Sequence, residues 1–112
     1  MTTSIPTEHA EQVIFVQWFR AQYPGVLIFA IPIGGYRDKR TAEKLKAEGV
    51  VPGVPDLFIP EWKLFLEFKR KKGGTVSKEQ KGIMEHLTGI GYSAVVCRGF
   101  EAARDYVLSI KQ

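Results

Sequence analysis

Three side chains in one stretch have the types and spacing for chemistry on a phosphate. The stretch is Gly53-Val54-Pro55-Asp56-Leu57-Phe58-Ile59-Pro60-Glu61-Trp62-Lys63-Leu64-Phe65-Leu66-Glu67-Phe68-Lys69. Leu57 to Ile59 make a short apolar strand and Leu64 to Phe68 a second, with Pro60 to Lys63 turning between them. Pro60 has no N–H to give to a ladder, which suits a strand end. Whether the loop is Glu61-Trp62 alone or all of Pro60 to Lys63, Ile59 faces Leu64. Counting outward, Asp56 faces Glu67. Alternation puts Phe65, Glu67 and Lys69 on one face. Asp56 lies on that face too, its Cβ about 5 Å from that of Glu67.

Two facing carboxylates destabilise a sheet unless something sits between them. A divalent cation meets that need. Hard oxygen ligands suit Mg²⁺ or Mn²⁺, which keep waters and accept phosphate oxygens as further ligands. Lys69, two residues on, can hold an attacking water or a phosphate oxygen. The set supplies metal, nucleophile positioning and charge stabilisation for phosphodiester hydrolysis. Glu-x-Lys alone is common on surface strands; Pro-Asp at the facing position is what sets this stretch apart.

The elements that must position these residues follow from the rest of the chain. One hundred and twelve residues, 45% hydrophobic, make one domain with a real core and a loose end at residues 1 to 6. No stretch reaches the length of a membrane span, and no basic segment followed by an apolar run marks a secretory signal. Cys97, the single cysteine, sits in the apolar run Ala94 to Cys97 and reads as a buried strand residue. A lone thiol fits a reducing cytoplasm. With two distant histidines and no asparagine, neither a zinc site nor a His-Asn-His site is available.

Thr7 is the expected N-cap of a first helix that runs to about Tyr23 and stops at Pro24-Gly25. Ile14, Phe15, Trp18 and Phe19 form its apolar face. Glu8 and Glu11 lie in the first turn, where the helix dipole favours acids. Glu11 either stays a surface acid or, by its spacing from Ile14 and Phe15, joins the inward face. Val26 to Ile31 is a continuous apolar run and predicts a strand buried on both faces. Gly34-Gly35 after it forms a turn or allows a close backbone approach. Tyr36 to Arg40 lead into a helix over Thr41 to Glu48, with Ala42 and Leu45 inward and Gly49 as its cap.

From Arg37 to Lys81 the chain holds 12 basic against 7 acidic residues, a local +5 within a chain of +4. A basic region centred on paired acids is what a nucleic-acid phosphodiesterase requires. Arg37, Lys39, Arg40, Lys44, Lys46, Arg70, Lys71, Lys72 and Lys78 are its candidates for phosphate contact. Four consecutive cations from Lys69 to Lys72 repel each other unless phosphate or solvent screens them.

Ser77-Lys78-Glu79-Gln80 is a capping box opening a third helix, with Gln80, Ile83, Met84 and Leu87 on one face. Gln80 either caps Ser77 or points into the site to hold water or phosphate. Tyr92 to Cys97 predict another buried strand. Phe100 to Ile110 predict a last helix, with Phe100, Ala103, Val107 and Ile110 inward. The order helix, strand, helix, hairpin, helix, strand, helix gives an α/β fold, a central mixed sheet flanked by helices.

Pro55-Asp56 followed by Glu67-Phe68-Lys69 resembles the signature of the PD-(D/E)XK nuclease superfamily. The text Leu45 to Leu57, then Glu67-Phe68-Lys69, then Ser77 to Gln80, is similar to one family of it, the VRR-NUC domain. The resemblance runs from about Glu11 to the last helix. It implies a restriction-endonuclease-like core and an Mg²⁺- or Mn²⁺-dependent endonuclease giving 5′-phosphate and 3′-hydroxyl ends. It implies metal ligation by Asp56, Glu67 and the backbone carbonyl of Phe68, with Glu11 reaching the metal through water. It assigns Lys69 to the attacking water and turns Gln80 into the site. Stand-alone domains of this kind resemble phage and bacterial homodimers that cut branched DNA, four-way (Holliday) junctions included, in the bacterial cytoplasm. The competing expectation is a DNA-binding module that keeps the fold without catalysis.

Overall fold

The structure is a computed structural model that describes residues 4–32 and 39–111. Gly34, Gly35 and Arg37 lie outside the described residues. Thr7 caps the first helix as its sequence predicts, its Oγ1 accepting the Ala10 N–H at 3.0 Å. That helix, α1, spans Glu8–Gln22. The remaining elements are β1 (Phe29–Ala30), α2 (Lys39–Ala47), β2 (Leu57–Ile59), a 3₁₀ turn (Pro60–Trp62), β3 (Leu64–Lys69), α3 (Lys78–Gly89), β4 (Ser93–Arg98) and α4 (Phe100–Ile110).

The sheet order is β1-β2-β3-β4. β1 and β2 pair antiparallel, β2 and β3 antiparallel, and β3 and β4 parallel. The hairpin register is the one counted from the turn, with Ile59 opposite Leu64 and Leu57 opposite Leu66. Pro60 opens the 3₁₀ turn and Lys63 closes it with φ 51°, its N–H returning to the Pro60 carbonyl at 3.0 Å. An antiparallel hairpin followed by a parallel crossover through α3 makes the sheet mixed, and helices flank it as expected.

Alternation along β2 and β3 sorts the sheet into two faces. Leu57, Ile59, Leu64, Leu66 and Phe68 form the core face and pack with Phe15 and Phe19 of α1 and Ala103 and Val107 of α4. Phe15 meets Phe68 with ring centroids 5.5 Å apart. Fully burying a side chain of this size contributes about 1.5–3 kcal/mol, against about 0–1 kcal/mol for a surface ion pair. The aromatic core, and not the surface charges, therefore holds α1 to the sheet. The opposite face carries Phe58 stacked on Phe65, centroids 4.1 Å apart, then Glu67 and Lys69.

Several expectations need correction. Val26 to Ile31 is not a strand buried on both faces; only Phe29–Ala30 pair, and both are exposed. Among the described residues β1 is an edge strand with one neighbour, and Ile28 alone of that run is buried. β4 is the other edge, so only Cys97 of its six residues is buried. Ile14 and Ile110 are exposed because the inward arcs run through Glu11, Phe15 and Phe19 in α1 and through Ala103 and Val107 in α4. Ala42 is exposed as well; α2 buries no residue, and Leu45 is half-buried. No helix of the described residues is long and apolar enough to cross a membrane.

Candidate active site

The hairpin register, carried one residue past β2, brings Asp56 to Glu67. Asp56 is held on both sides. Its carbonyl accepts the Ile31 N–H at 2.8 Å, and its Oδ2 accepts the Phe68 N–H at 2.7 Å. The preceding Pro55 is fully buried and sets the approach. The Asp56 carboxylate is thus fixed by the strand that carries Glu67.

Glu67 is 3% exposed and Lys69 8%. The Lys69 Nζ stands 3.8 Å from Glu67 Oε2, a charge contact longer than a hydrogen bond. The Lys69 carbonyl accepts the Gly99 N–H at 3.1 Å, which ties this end of β3 to the start of α4.

Gln80 resolves its two readings by satisfying both. Its Oε1 accepts the Ser77 N–H at 2.9 Å while its backbone N–H donates to Ser77 Oγ at 3.1 Å, closing the capping box. Its Nε2 then donates to Glu67 Oε2 at 3.1 Å. Gly53 makes this arrangement possible. It has φ +92°, and a Cβ there would lie 2.6 Å from the Glu79 carbonyl carbon and 2.9 Å from the Gln80 nitrogen. Only a residue without a side chain lets the segment leading to Asp56 pass this close to the start of α3.

Burial pushes the Glu67 carboxyl up to about 8, and the neighbouring Asp56 charge adds to the rise. The Lys69 ammonium opposes it, and Glu8 contributes further in the upward direction. The two carboxyls thus hold a proton between them where burial disfavours a second charge. The donors that reach the pair land on Asp56 Oδ2 and Glu67 Oε2; Oδ1 and Oε1 accept from no N–H of the described residues. Carboxyls close enough to share a proton fit a hard divalent cation in its place. Asp56 and Glu67 are a pair only. Among the described residues no group of three or more His, Cys, Asp or Glu is placed to hold a metal ion.

Glu11 is buried at 2% exposure, as its inward reading requires, but it sits at the start of α4. Its Oε1 accepts the Phe100 N–H at 3.2 Å, and its buried Oε2 has no hydrogen-bond partner among the described residues. None of its described contacts joins it to Asp56 or Glu67.

The expected phosphate-contact residues divide. Lys39, Arg40 and Lys44 are exposed on α2, and Lys78 is exposed at the start of α3. Arg70 donates to the Ile5 carbonyl at 3.1 Å, and Lys71 pairs with Glu101 at 3.1 Å. Lys72 is exposed and has no partner among the described residues. Burial pushes the Cys97 thiol up to about 12, which leaves it a core residue and not a nucleophile.

No family model matches the chain, and no curated protein matches it. Among solved structures it is similar to a protein described as a "VRR_NUC domain protein", with a TM-score of 0.79 and 26% sequence identity. The match covers 94% of this chain and 88% of that one. The resemblance to the VRR-NUC family carried by the sequence therefore holds in three dimensions and across the whole architecture, not only at the motif.

Proposed function

We propose that this chain is a metal-dependent, structure-selective endodeoxyribonuclease that hydrolyses phosphodiester bonds in branched DNA, with four-way junctions as its favoured substrate. One observation carries the reading: Asp56, Glu67, Lys69 and Gln80 converge at one half-buried place, with a carboxyl pushed up by burial and by its neighbour. The likeness to a VRR_NUC domain protein supports a nuclease acting on DNA.

Asp56 and Glu67 would hold Mg²⁺ or Mn²⁺, joined by the backbone carbonyl of Phe68. A bound cation of this kind polarises a phosphate oxygen and eases deprotonation of a bound water. Lys69 orients the attacking water and sets fixed positive charge where the phosphorane charge develops. Its near-complete burial strengthens that charge, because less solvent screens it. Gln80 keeps Glu67 from turning away. Glu11 fixes the start of α4 through the Phe100 N–H and would reach the cation through water. Lys39, Arg40, Lys44, Arg70, Lys72 and Lys78 grip backbone phosphates without reading sequence.

A homodimer belongs to this reading, since two-fold symmetry sets paired sites against a symmetric junction. Val13 and Ile14 on α1, with Leu27 before β1 and Phe29 within it, are exposed apolar residues available to it. The place of action is the bacterial cytoplasm.

The test is cleavage of labelled four-way junction, flap, duplex and single-stranded DNA with Mg²⁺ or Mn²⁺, beside Glu67→Ala and Lys69→Ala. Junction-selective cutting lost in both variants is the expected result. Tight junction binding without cutting of any substrate would instead favour the non-catalytic module.

A further inference from the structure

The basic loop after β3 carries a run of like charges, yet the fold gives it a defined shape before any phosphate arrives. Arg98, the last residue of β4, stands opposite Lys69 in the parallel register. Its Nη1 donates to the Arg70 carbonyl at 3.4 Å and to the Gly73 carbonyl at 2.9 Å, and its Nη2 donates to the Gly74 carbonyl at 3.2 Å. Three carbonyl oxygens of one loop thus converge on one guanidinium. The planar fork of arginine matches such a set; a lysine ammonium is a point charge on a flexible stem.

The loop is pinned at its start as well, where the Gly99 N–H holds the Lys69 carbonyl. Gly73 and Gly74 adopt φ +76° and +65°, and this pair turns the chain back toward β4. The return brings the loop over the lysine: a Cβ on Gly74 would lie 4.0 Å from Lys69 Cδ. A cation at position 98 adds to the repulsion among Lys69, Arg70, Lys71 and Lys72, so net charge alone does not explain its place. The carbonyl set does, because it offsets that charge with dipoles and fixes the backbone.

We propose that Arg98 is a positioning residue for DNA binding: its guanidinium presets the backbone of residues 70–74 so that the loop's cations meet phosphate without first being ordered. This rests on the nuclease reading above. Ordering a loop at the moment of binding subtracts from affinity, and a preset loop avoids that loss. Arg98 touches neither Asp56 nor Glu67 in any described contact, so its effect falls on binding before chemistry.

The test is Arg98→Lys in the full chain, which keeps the charge and removes the fork. Hydrogen exchange of the residue 70–76 amides reads the loop, and titration of a labelled four-way junction in EDTA over a range of salt reads binding. Cleavage with Mn²⁺ reads kcat and KM. The expected result is exchange faster by about tenfold and Kd and KM raised by about tenfold, with kcat and melting temperature little changed. Gly73→Ala, which strains the same loop at φ +76° while leaving the arginine itself in place, should weaken binding in the same direction. Wild-type affinity in Arg98→Lys would overturn the proposal, as would weakened binding with unchanged loop exchange, which would make Arg98 a direct phosphate contact. Wild-type protein that neither binds nor cuts DNA would overturn the nuclease reading itself, whereas the two results before it overturn this proposal alone.

Discussion

Gln80 and Glu67 are joined by a hydrogen bond whose direction is set elsewhere. The Gln80 Oε1 is taken by the Ser77 N–H, so the Nε2 is the end that meets Glu67 Oε2, at 3.1 Å. A helix cap thereby orients a site residue. Gln80→Glu keeps the capping box, since glutamate serves equally at that position, but replaces a donor with a third carboxylate. We expect helix content to stay at the wild-type level while cleavage falls at least about tenfold, one hydrogen bond to a charged group having that worth. Gln80→Ala should lose both. Circular dichroism and Mn²⁺-dependent cleavage separate the two roles, and full activity in Gln80→Glu would remove the bond to Glu67 from the mechanism.

The raised Glu67 carboxyl makes stability depend on pH with a definite sign. In the unfolded chain the group loses its proton near 4.5, and in the fold it keeps the proton to about 8, through burial first and Asp56 second. Between those values the folded state binds more protons, so stability falls as pH rises. In EDTA the melting temperature should drop from pH 5 to pH 8, and Glu67→Gln should remove that part of the slope. Added Mn²⁺ takes the proton's place, so its stabilising effect should grow over the same interval. Equal slopes in wild type and Glu67→Gln would show that Glu67 titrates normally.

Gly53 predicts the cost of separating the hairpin from α3. In Gly53→Ala the new Cβ meets backbone atoms of Glu79 and Gln80, which cannot swing aside as a side chain would. Positive φ adds about 1–3 kcal/mol of strain. Gly25→Ala has the same sign of φ, +93°, but open space around it. Urea denaturation should therefore show Gly53→Ala to be the more destabilising of the two, with cleavage lost beyond the stability change. Equal losses would mean that the close approach to α3 carries no load.

The loop cations should not behave alike. Lys71 is held by Glu101, and its ammonium is favoured by that hydrogen bond, whereas Lys72 has no partner among the described residues. Lys72→Ala should lower the slope of log affinity against log salt by about 0.9, one phosphate contact's worth on duplex DNA. Glu101→Gln, which releases Lys71, should tighten binding. If neither variant alters affinity, the loop is outside the DNA path.

The hairpin was legible because its determinants are local. A proline, a four-residue turn and a period of two set Ile59 opposite Leu64, and that count alone places Asp56 near Glu67. Helix starts at Thr7 and Ser77 were legible for the same reason, since an N-cap is decided within three residues. Exposure was less legible. Val26 to Ile31 has the composition of a buried strand, but composition does not say whether a second neighbour exists, and among the described residues β1 has none beyond β2.

By itself the sequence determined the paired acids, the lysine beside them and the order of elements, because each depends on contacts between near neighbours. Only the tertiary structure decided where the distant residues went. Glu11 reaches Phe100 across 89 positions, and nothing in either local sequence announces that bond. Arg98 gathers three carbonyls of a loop about 25 residues before it only because β3 and β4 have packed together. Such contacts form after loop closure and core burial have placed the elements, so they belong to the fold as a whole and not to any stretch of it.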